Sequence, residues 1–219
     1  MLRAVLFDMD GTLLDSERIW DVSLTELATM LGGVLSAPAR EAMVGTSMAR
    51  SMELFYADLA ITGRDGDADA AWLDLRTSQL FAEGLVWRPG ARELLIAVRQ
   101  AGLRTALVTA TSRPLVETAL RTMGAEHFDV VVCGGETAAK PSAAPYLHAL
   151  EQLRLRAADA LVIEDSPTGV AAARAAGCAV LAVPVAAPLP PQPGVVLRDT
   201  LSGLTVADLR KILAGLNVR

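Results

Sequence analysis

Arg104-Thr105-Ala106-Leu107-Val108-Thr109, Val130-Val131-Val132-Cys133, Ala160-Leu161-Val162-Ile163-Glu164 and Ala179-Val180-Leu181-Ala182-Val183 are short, almost unbroken apolar runs. They lack the alternating polarity of a half-solvated strand, so they read as strands buried on both faces. Helical patterns lie between them. Residues 91–101 follow Pro89-Gly90 and stop at Gly102, 114–123 stop at Gly124, 144–155 follow Lys140-Pro141, and 169–176 stop at Gly177. Opening prolines and closing glycines are the expected punctuation of helices. Strand and helix in strict alternation predict βαβ units, hence an α/β fold with a doubly wound parallel sheet covered by helices on both faces.

Towards the N-terminus, residues 3–7 supply one more strand, after which the alternation stops until Leu85. A gap of about 70 residues is the size of an inserted module. Within it Ile19, Leu24, Leu27, Ala28 and Leu31 recur at helical spacing up to Gly32-Gly33, and 48–59 and 69–81 repeat the pattern with no strand-like run. The expected organisation is a core of residues 1–15 and 85–219 with a helical cap of residues 16–84. Asp15 or Ser16 caps the first helix, and 15–17 and 83–88 are the crossings that could hinge. The tail reads as a proline-rich loop (184–193), a short strand (195–197) and a last helix (206–216).

The chain has 219 residues, enough to bury a full core, and suits one domain carrying an insertion. With 20 Lys+Arg against 25 Asp+Glu the formal charge is −5, and no basic block is present to neutralise a phosphate backbone. Nucleic acid is therefore not an expected partner. No apolar run approaches the ~20 residues a bilayer span requires, and the N-terminus lacks the pattern of a secretion signal. A soluble, cytoplasmic protein, monomeric rather than obligately oligomeric, is expected. Cys133 and Cys178 share no metal-ligand or disulfide spacing and read as buried free thiols.

Chemistry concentrates where the strands end. Phe7-Asp8-Met9-Asp10-Gly11-Thr12 places two carboxylates two residues apart, which on an extended chain aims both the same way. Such a pair repels unless a cation or a proton lies between, which suggests Mg²⁺. Gly11 permits a tight turn whose free N–H groups could meet an anion; the alternative is a plain Asx turn ending a strand. Three further strand ends point to the same crevice, because ligands of open parallel sheets bind at the carboxyl ends of strands. Thr109-Ala110-Thr111-Ser112 offers hydroxyls and amides to a phosphate oxygen, although Ser112 could equally cap the next helix. Gly134-Gly135 leads to Lys140-Pro141, and Glu164-Asp165-Ser166-Pro167-Thr168-Gly169 adds two carboxylates at a strand-to-helix turn, where Asp165 or Ser166 could also be an N-cap. Gly134 and Lys140 do not form a P-loop, since Ala139 and Pro141 stand where it needs Gly and Ser/Thr. His127 and His148, at a helix exit and on a helix, are not suited as general bases.

In this order, Asp8-x-Asp10-Gly11-Thr12, Thr109, Lys140-Pro141 and Glu164-Asp165 resemble the four motifs of the haloacid dehalogenase superfamily, along the whole chain. The helical insertion, Asp15-Ser16-Glu17 and Gly45-Thr46-Ser47 resemble the β-phosphoglucomutase-like and 2-deoxyglucose-6-phosphate phosphatase-like subgroup with its helical cap. One departure is that Ala143 and Ala144 stand where the subgroup has Pro and Asp after its Lys-Pro. The resemblance implies a Rossmann-like core and a Mg²⁺-dependent phosphatase. Asp8 is then the nucleophile that forms an aspartyl-phosphate, and Asp10 is the acid and base. Mg²⁺ is held by Asp8, the backbone carbonyl of Asp10 and Asp165, with Glu164 orienting a bound water. Lys140 and Thr109, with Gly11 and Ala110, hold the phosphoryl oxygens. The implied partner is a small phosphorylated metabolite, a sugar or polyol phosphate first. Trp20, Gly45, Thr46 and Ser47 are implied to set specificity from the cap, although Trp20 and Met48 could equally be cap core. Mutases of this type carry a His and an Arg near the positions of Trp20 and Met48, which favours a phosphatase over a mutase. A phospho-signalling receiver, the alternative from another class, does not explain the helical insertion or an Asp two residues after the nucleophile.

Overall fold

The computed structural model describes residues 1–185 and 189–216. In chain order the elements are β1 (Ala4–Phe7), α1 (Glu17–Met30), α2 (Ala37–Met43), α3 (Met48–Asp58), α4 (Gly66–Glu83), α5 (Ala91–Gln100), β2 (Arg104–Ser112), α6 (Arg113–Met123), β3 (Val130–Gly134), α7 (Ala144–Leu153), β4 (Ala160–Glu164), α8 (Pro167–Ala175), β5 (Ala179–Ala182), β6 (Val195–Leu197) and α9 (Val206–Leu216). The strands form one sheet of order β3-β2-β1-β4-β5-β6, every pair parallel. This is the doubly wound α/β sheet that the alternation predicts.

The two-residue period of the strands divides the core. Val5 and Phe7 face Leu107, Leu161, Ile163 and Leu181 and the buried faces of α5, α6 and α9, whereas Ala4 and Leu6 face Ala106, Val108, Val162 and Val180 with α7 and α8. Each fully buried Leu, Val, Ile or Phe stabilises the fold by about 1.5–3 kcal/mol. Apolar residues on both faces explain why these strands are unbroken apolar runs. β1 lies between β2 and β4, with Phe7 opposite both Leu107 and Ile163, so the segments following all three strands leave the sheet together. The chain reverses its direction of winding beside β1, where open sheets bind ligands.

Between β1 and α5 there are only helices. α1, α3 and α4 bury Leu24, Leu27, Ala28, Met52, Phe55 and Leu73 in a cluster of their own, joined by Met43 of α2. Short α2 was not expected: with one buried residue it carries no periodicity. Its start is nevertheless marked by Ser36, whose Oγ accepts from Ala39 N (3.3 Å), and by Pro38 in the first turn. Two crossings join this unit to the sheet side by side. Asp15 N donates to Val86 O (2.8 Å), Arg88 N donates to Leu13 O (2.8 Å), and Leu14 bridges Trp87.

Several boundaries move. β2 continues to Ser112 instead of ending at Thr109, with a register shift against β3 between Val108 and Ser112. α7 ends at Leu153, with Arg154 in the left-handed region, and α8 begins at Pro167, capped by Ser166 Oγ accepting from Gly169 N (3.1 Å). Ser16 precedes α1 but does not cap it, because its hydroxyl donates elsewhere; Ser112 likewise makes no cap for α6. Both cysteines are buried free thiols. Of the proline-rich stretch expected as a loop, 186–188 lie outside the described residues, and the remainder carries neither helix nor strand. No helix among the described residues is long and apolar enough to cross a membrane.

Candidate active site

Asp8 follows the last residue of β1, and its N–H donates to Ile163 O (3.0 Å), which ties it to the end of β4. Asp8, Glu164 and Asp165 each present a carboxylate oxygen, all within 4.8 Å of one another, and all three residues are buried. Lys140 reaches between them from the loop after β3. Its Nζ donates to Asp8 Oδ1 (2.6 Å), Glu164 Oε1 (2.6 Å) and Val108 O (3.0 Å), so all three ammonium donors are engaged. Glu164, 0 % exposed, also accepts from Tyr146 Oη (2.7 Å) on Oε1 and from Asp165 N, Ser166 N and Ser166 Oγ on Oε2. The Tyr146 ring centroid lies 5.2 Å from Lys140 Nζ.

Three carboxylates and one ammonium leave an excess of negative charge in a buried place. Burial, with repulsion from Glu164, pushes the Asp8 carboxyl well above the usual carboxylate range despite Lys140; burial, Asp8 and Glu164 do the same to Asp165. Burial opposes the charge on Lys140 as well, but Asp8 and Glu164 outweigh it and raise its pKa. An oxygen-rich site with excess negative charge fits a hard divalent cation. Glycine at position 11 makes this packing possible. Its φ is +76°, and a Cβ there would fall 2.2 Å from Asp165 Oδ2. Thr12 Oγ1 donates to Asp165 Oδ1 (3.3 Å). The Gly11 N–H is taken by Leu14 O (2.9 Å), so glycine contributes clearance at this point.

Asp10 is held separately, which corrects the expectation that the two aspartates aim the same way. β1 ends at Phe7, the chain then turns with Leu13 and Leu14 N–H groups on Met9 O, and the Asp10 carboxylate lies outside the three-carboxylate cluster. Its Oδ1 accepts from Ser16 Oγ (2.6 Å) and Trp20 Nε1 (3.3 Å), and its Oδ2 from Thr109 Oγ1 (3.1 Å) and Thr111 Oγ1 (2.6 Å). β2 thus aims two hydroxyls at one carboxylate, and the helical insertion supplies two more donors.

Above this carboxylate a cavity of about 370 Å³ separates the insertion from the sheet, lined in part by Asp10, Trp20, Arg40, Asp74 and Ala110. Gly45, Thr46 and Ser47 also line it. Gly45 has φ +69°, and its missing Cβ would sit 2.5 Å from Ser166 Oγ; Thr168 Oγ1 donates to Gly45 O (2.9 Å). The insertion therefore rests directly on the Glu164–Thr168 turn. The hydroxyls of Thr46 and Ser47 have local partners, Met43 O and Ser51 for the first and Arg50 N for the second. Trp20 touches Asp10 and also packs against the sheet's core, while Met48 packs in the insertion's own cluster and reaches the cavity wall.

Thr111, Ser16, Tyr146 and Asp74 were not foreseen. Thr111 lies two residues from Thr109, and strand alternation would have put both hydroxyls on one side had β2 been extended past Thr109. Tyr146 and Asp74 depend on tertiary packing and leave no local pattern.

The sequence model of the haloacid dehalogenase-like hydrolases matches residues 2–177. A phosphorylated carbohydrates phosphatase of Thermotoga maritima is 30% identical over 178 residues, covering 80% of this chain and 82% of that protein. A phosphoglycolate phosphatase of Chromobacterium violaceum is 32% identical over 189 residues, 83% and 85% of the two chains. Among solved structures, CbbY of Rhodobacter sphaeroides in complex with phosphate superposes with a TM-score of 0.84 at 30% identity, over 96% of this chain and 100% of that one.

Proposed function

The chain belongs to the haloacid dehalogenase-like hydrolases and is a phosphoric monoester hydrolase, and we propose that it is a Mg²⁺-dependent phosphatase acting on a small sugar or polyol phosphate through an aspartyl-phosphate. The observation that carries this reading is the meeting of Asp8, Glu164, Asp165 and Lys140 beside a separately held Asp10. Asp8 attacks phosphorus, and the P–O bond to the leaving alcohol breaks while Asp10 donates a proton to the departing oxygen. In the second half Asp10 takes a proton from water, which attacks the aspartyl-phosphate and releases inorganic phosphate and free Asp8. Thr109, Thr111, Ser16 and Trp20 hold Asp10 in place for both transfers, and Lys140 orients Asp8 and offsets negative charge on the phosphoryl oxygens, as Ala110 and Thr109 line their approach. Asp8, Asp165 and the Asp10 carbonyl are suited to hold Mg²⁺, with Glu164 anchoring Lys140 and the turn behind them. When bound, the ion supplies charge neutralisation for the transferring group. Residues 16–84 form the cap that closes over the substrate and shields the intermediate from stray water.

A Mg²⁺-titrated phosphate-release assay with p-nitrophenyl phosphate and a panel of sugar phosphates tests the reading. Metal-dependent turnover abolished in Asp8→Asn is expected. Turnover that persists in Asp8→Asn, or that ignores chelation, overturns it.

A further inference from the structure

The cavity above Asp10 carries a charge pattern that bears on which alcohol it accepts. Among the described residues its lining holds three carboxylates, Asp10, Glu17 and Asp74, and one cation, Arg40. Arg40 is already committed. Its Nε donates to Asp21 Oδ1 (2.5 Å) and its Nη2 to Glu17 Oε2 (2.5 Å) and Glu17 O (3.1 Å). Nothing cationic is left free in the lining for a second anion on the substrate. Asp74, on α4, differs from the other two acids. Oδ2 accepts from Ser112 Oγ (3.1 Å) across the gap between insertion and sheet, but Oδ1 is buried with no hydrogen-bond partner. A buried carboxylate oxygen without a donor is unfavourable by the loss of its hydration, and it is restored by any ligand that brings a donor. Burial accordingly raises the Asp74 carboxyl, with the Ser112 hydroxyl opposing. Trp20, Leu24, Met43, Met48 and Leu73 make the rest of this wall largely apolar.

We infer that Asp74 is a specificity-determining residue whose free Oδ1 accepts a hydrogen bond from a hydroxyl of the leaving alcohol, and that the cavity selects monophosphates of uncharged polyhydroxy alcohols over substrates with a second phosphate or a carboxylate. This rests on the phosphatase reading and narrows its substrate class. A relative named for phosphoglycolate would, on this inference, differ from the chain in substrate charge. A second anion would face Asp74 and Glu17 with no free positive partner, and like charges juxtaposed at a desolvated contact weaken binding strongly.

Two matched pairs test it: a hexose 6-phosphate against the hexose 1,6-bisphosphate, and glycerol 3-phosphate against 3-phosphoglycerate. Dissociation constants are measured by calorimetry in the Asp8→Asn background with Mg²⁺, and kcat/KM in the parent protein. The singly charged-group member of each pair should be preferred by at least about tenfold in both readouts. Asp74→Asn should shrink the preference mainly through KM, and Asp74→Lys should reverse it. Ser112→Ala, which removes the Oδ2 partner and leaves Oδ1, should keep the preference. Equal or tighter binding of the bisphosphate, an unchanged preference in Asp74→Asn, a Ser112→Ala shift as large as that of Asp74→Asn, or no binding of either member overturns the inference. Preferential binding without any phosphate release would instead remove the phosphatase reading and leave the selectivity standing.

Discussion

The sheet and the helical insertion handle charge in opposite ways. At the end of β1 the sheet buries an ammonium among three carboxylates, with Lys140 and Glu164 side chains 2% and 0% exposed. The insertion keeps most of its ion pairs where water reaches them, as in Arg76–Glu26 and Arg50–Glu53. Solvent-screened pairs add little to stability, whereas each member of a buried cluster is required by the others. The difference separates two tasks. A fixed buried array suits covalent chemistry at phosphorus, and a smaller module with its own core of Leu24, Leu27, Phe55 and Leu73 can vary its wall without disturbing that array.

Removing Lys140 breaks the comparison on the sheet side and has the largest expected effect on stability. Lys140→Met leaves Asp8 and Glu164 facing each other and should cost about 3–5 kcal/mol by urea unfolding, with activity lost. A variant as stable as the parent would mean that the cluster is not held by its ammonium. On the other side, Phe55→Ala should cost a comparable ~3–5 kcal/mol, confined to the insertion. Hydrogen exchange should accelerate in α1, α3 and α4 while β1 and β4 amides keep their protection; uniform acceleration would show that the two regions unfold as one. Mg²⁺ should then sharpen the contrast. At about 100 times its dissociation constant it stabilises the site that binds it by ~2.7 kcal/mol, seen as a higher Tm that Asp165→Asn abolishes. A Tm indifferent to Mg²⁺ would argue against the cluster as its site.

The smallest effect concerns acid. Arg64 hydrogen-bonds the buried Asp69 carboxylate and, with Tyr56, holds its pKa below the ordinary value against burial. Its contribution is complete above the ordinary carboxylate range and fades as pH falls through the depressed value. The acid limb of the insertion's stability should flatten in Asp69→Asn; an unchanged limb would assign that limb to other groups.

The legible parts follow the same division. Strands buried on both faces leave unbroken apolar runs, and residues at their carboxyl ends converge because the sheet is parallel, so Asp8, Thr109, Lys140, Glu164 and Asp165 could be brought together from spacing and topology. The direction of the Asp10 side chain could not be read, because it depends on a turn that begins one residue after β1. α2 was too short for periodicity, and Ser16 and Ser112 sit at helix starts while their hydroxyls serve Asp10 and Asp74. Asp74 faces a different module from the one it belongs to, a relation that no local pattern records.

The account turns on Asp8 as the atom donor to phosphorus. Acid-quenching the enzyme during turnover of a sugar phosphate, followed by borohydride reduction and peptide mass spectrometry, tests that most directly. Conversion of the residue 8 side chain to the corresponding alcohol, absent in Asp8→Asn, is the predicted result. Modification at another carboxylate, or an unmodified peptide under conditions of rapid phosphate release, would contradict it.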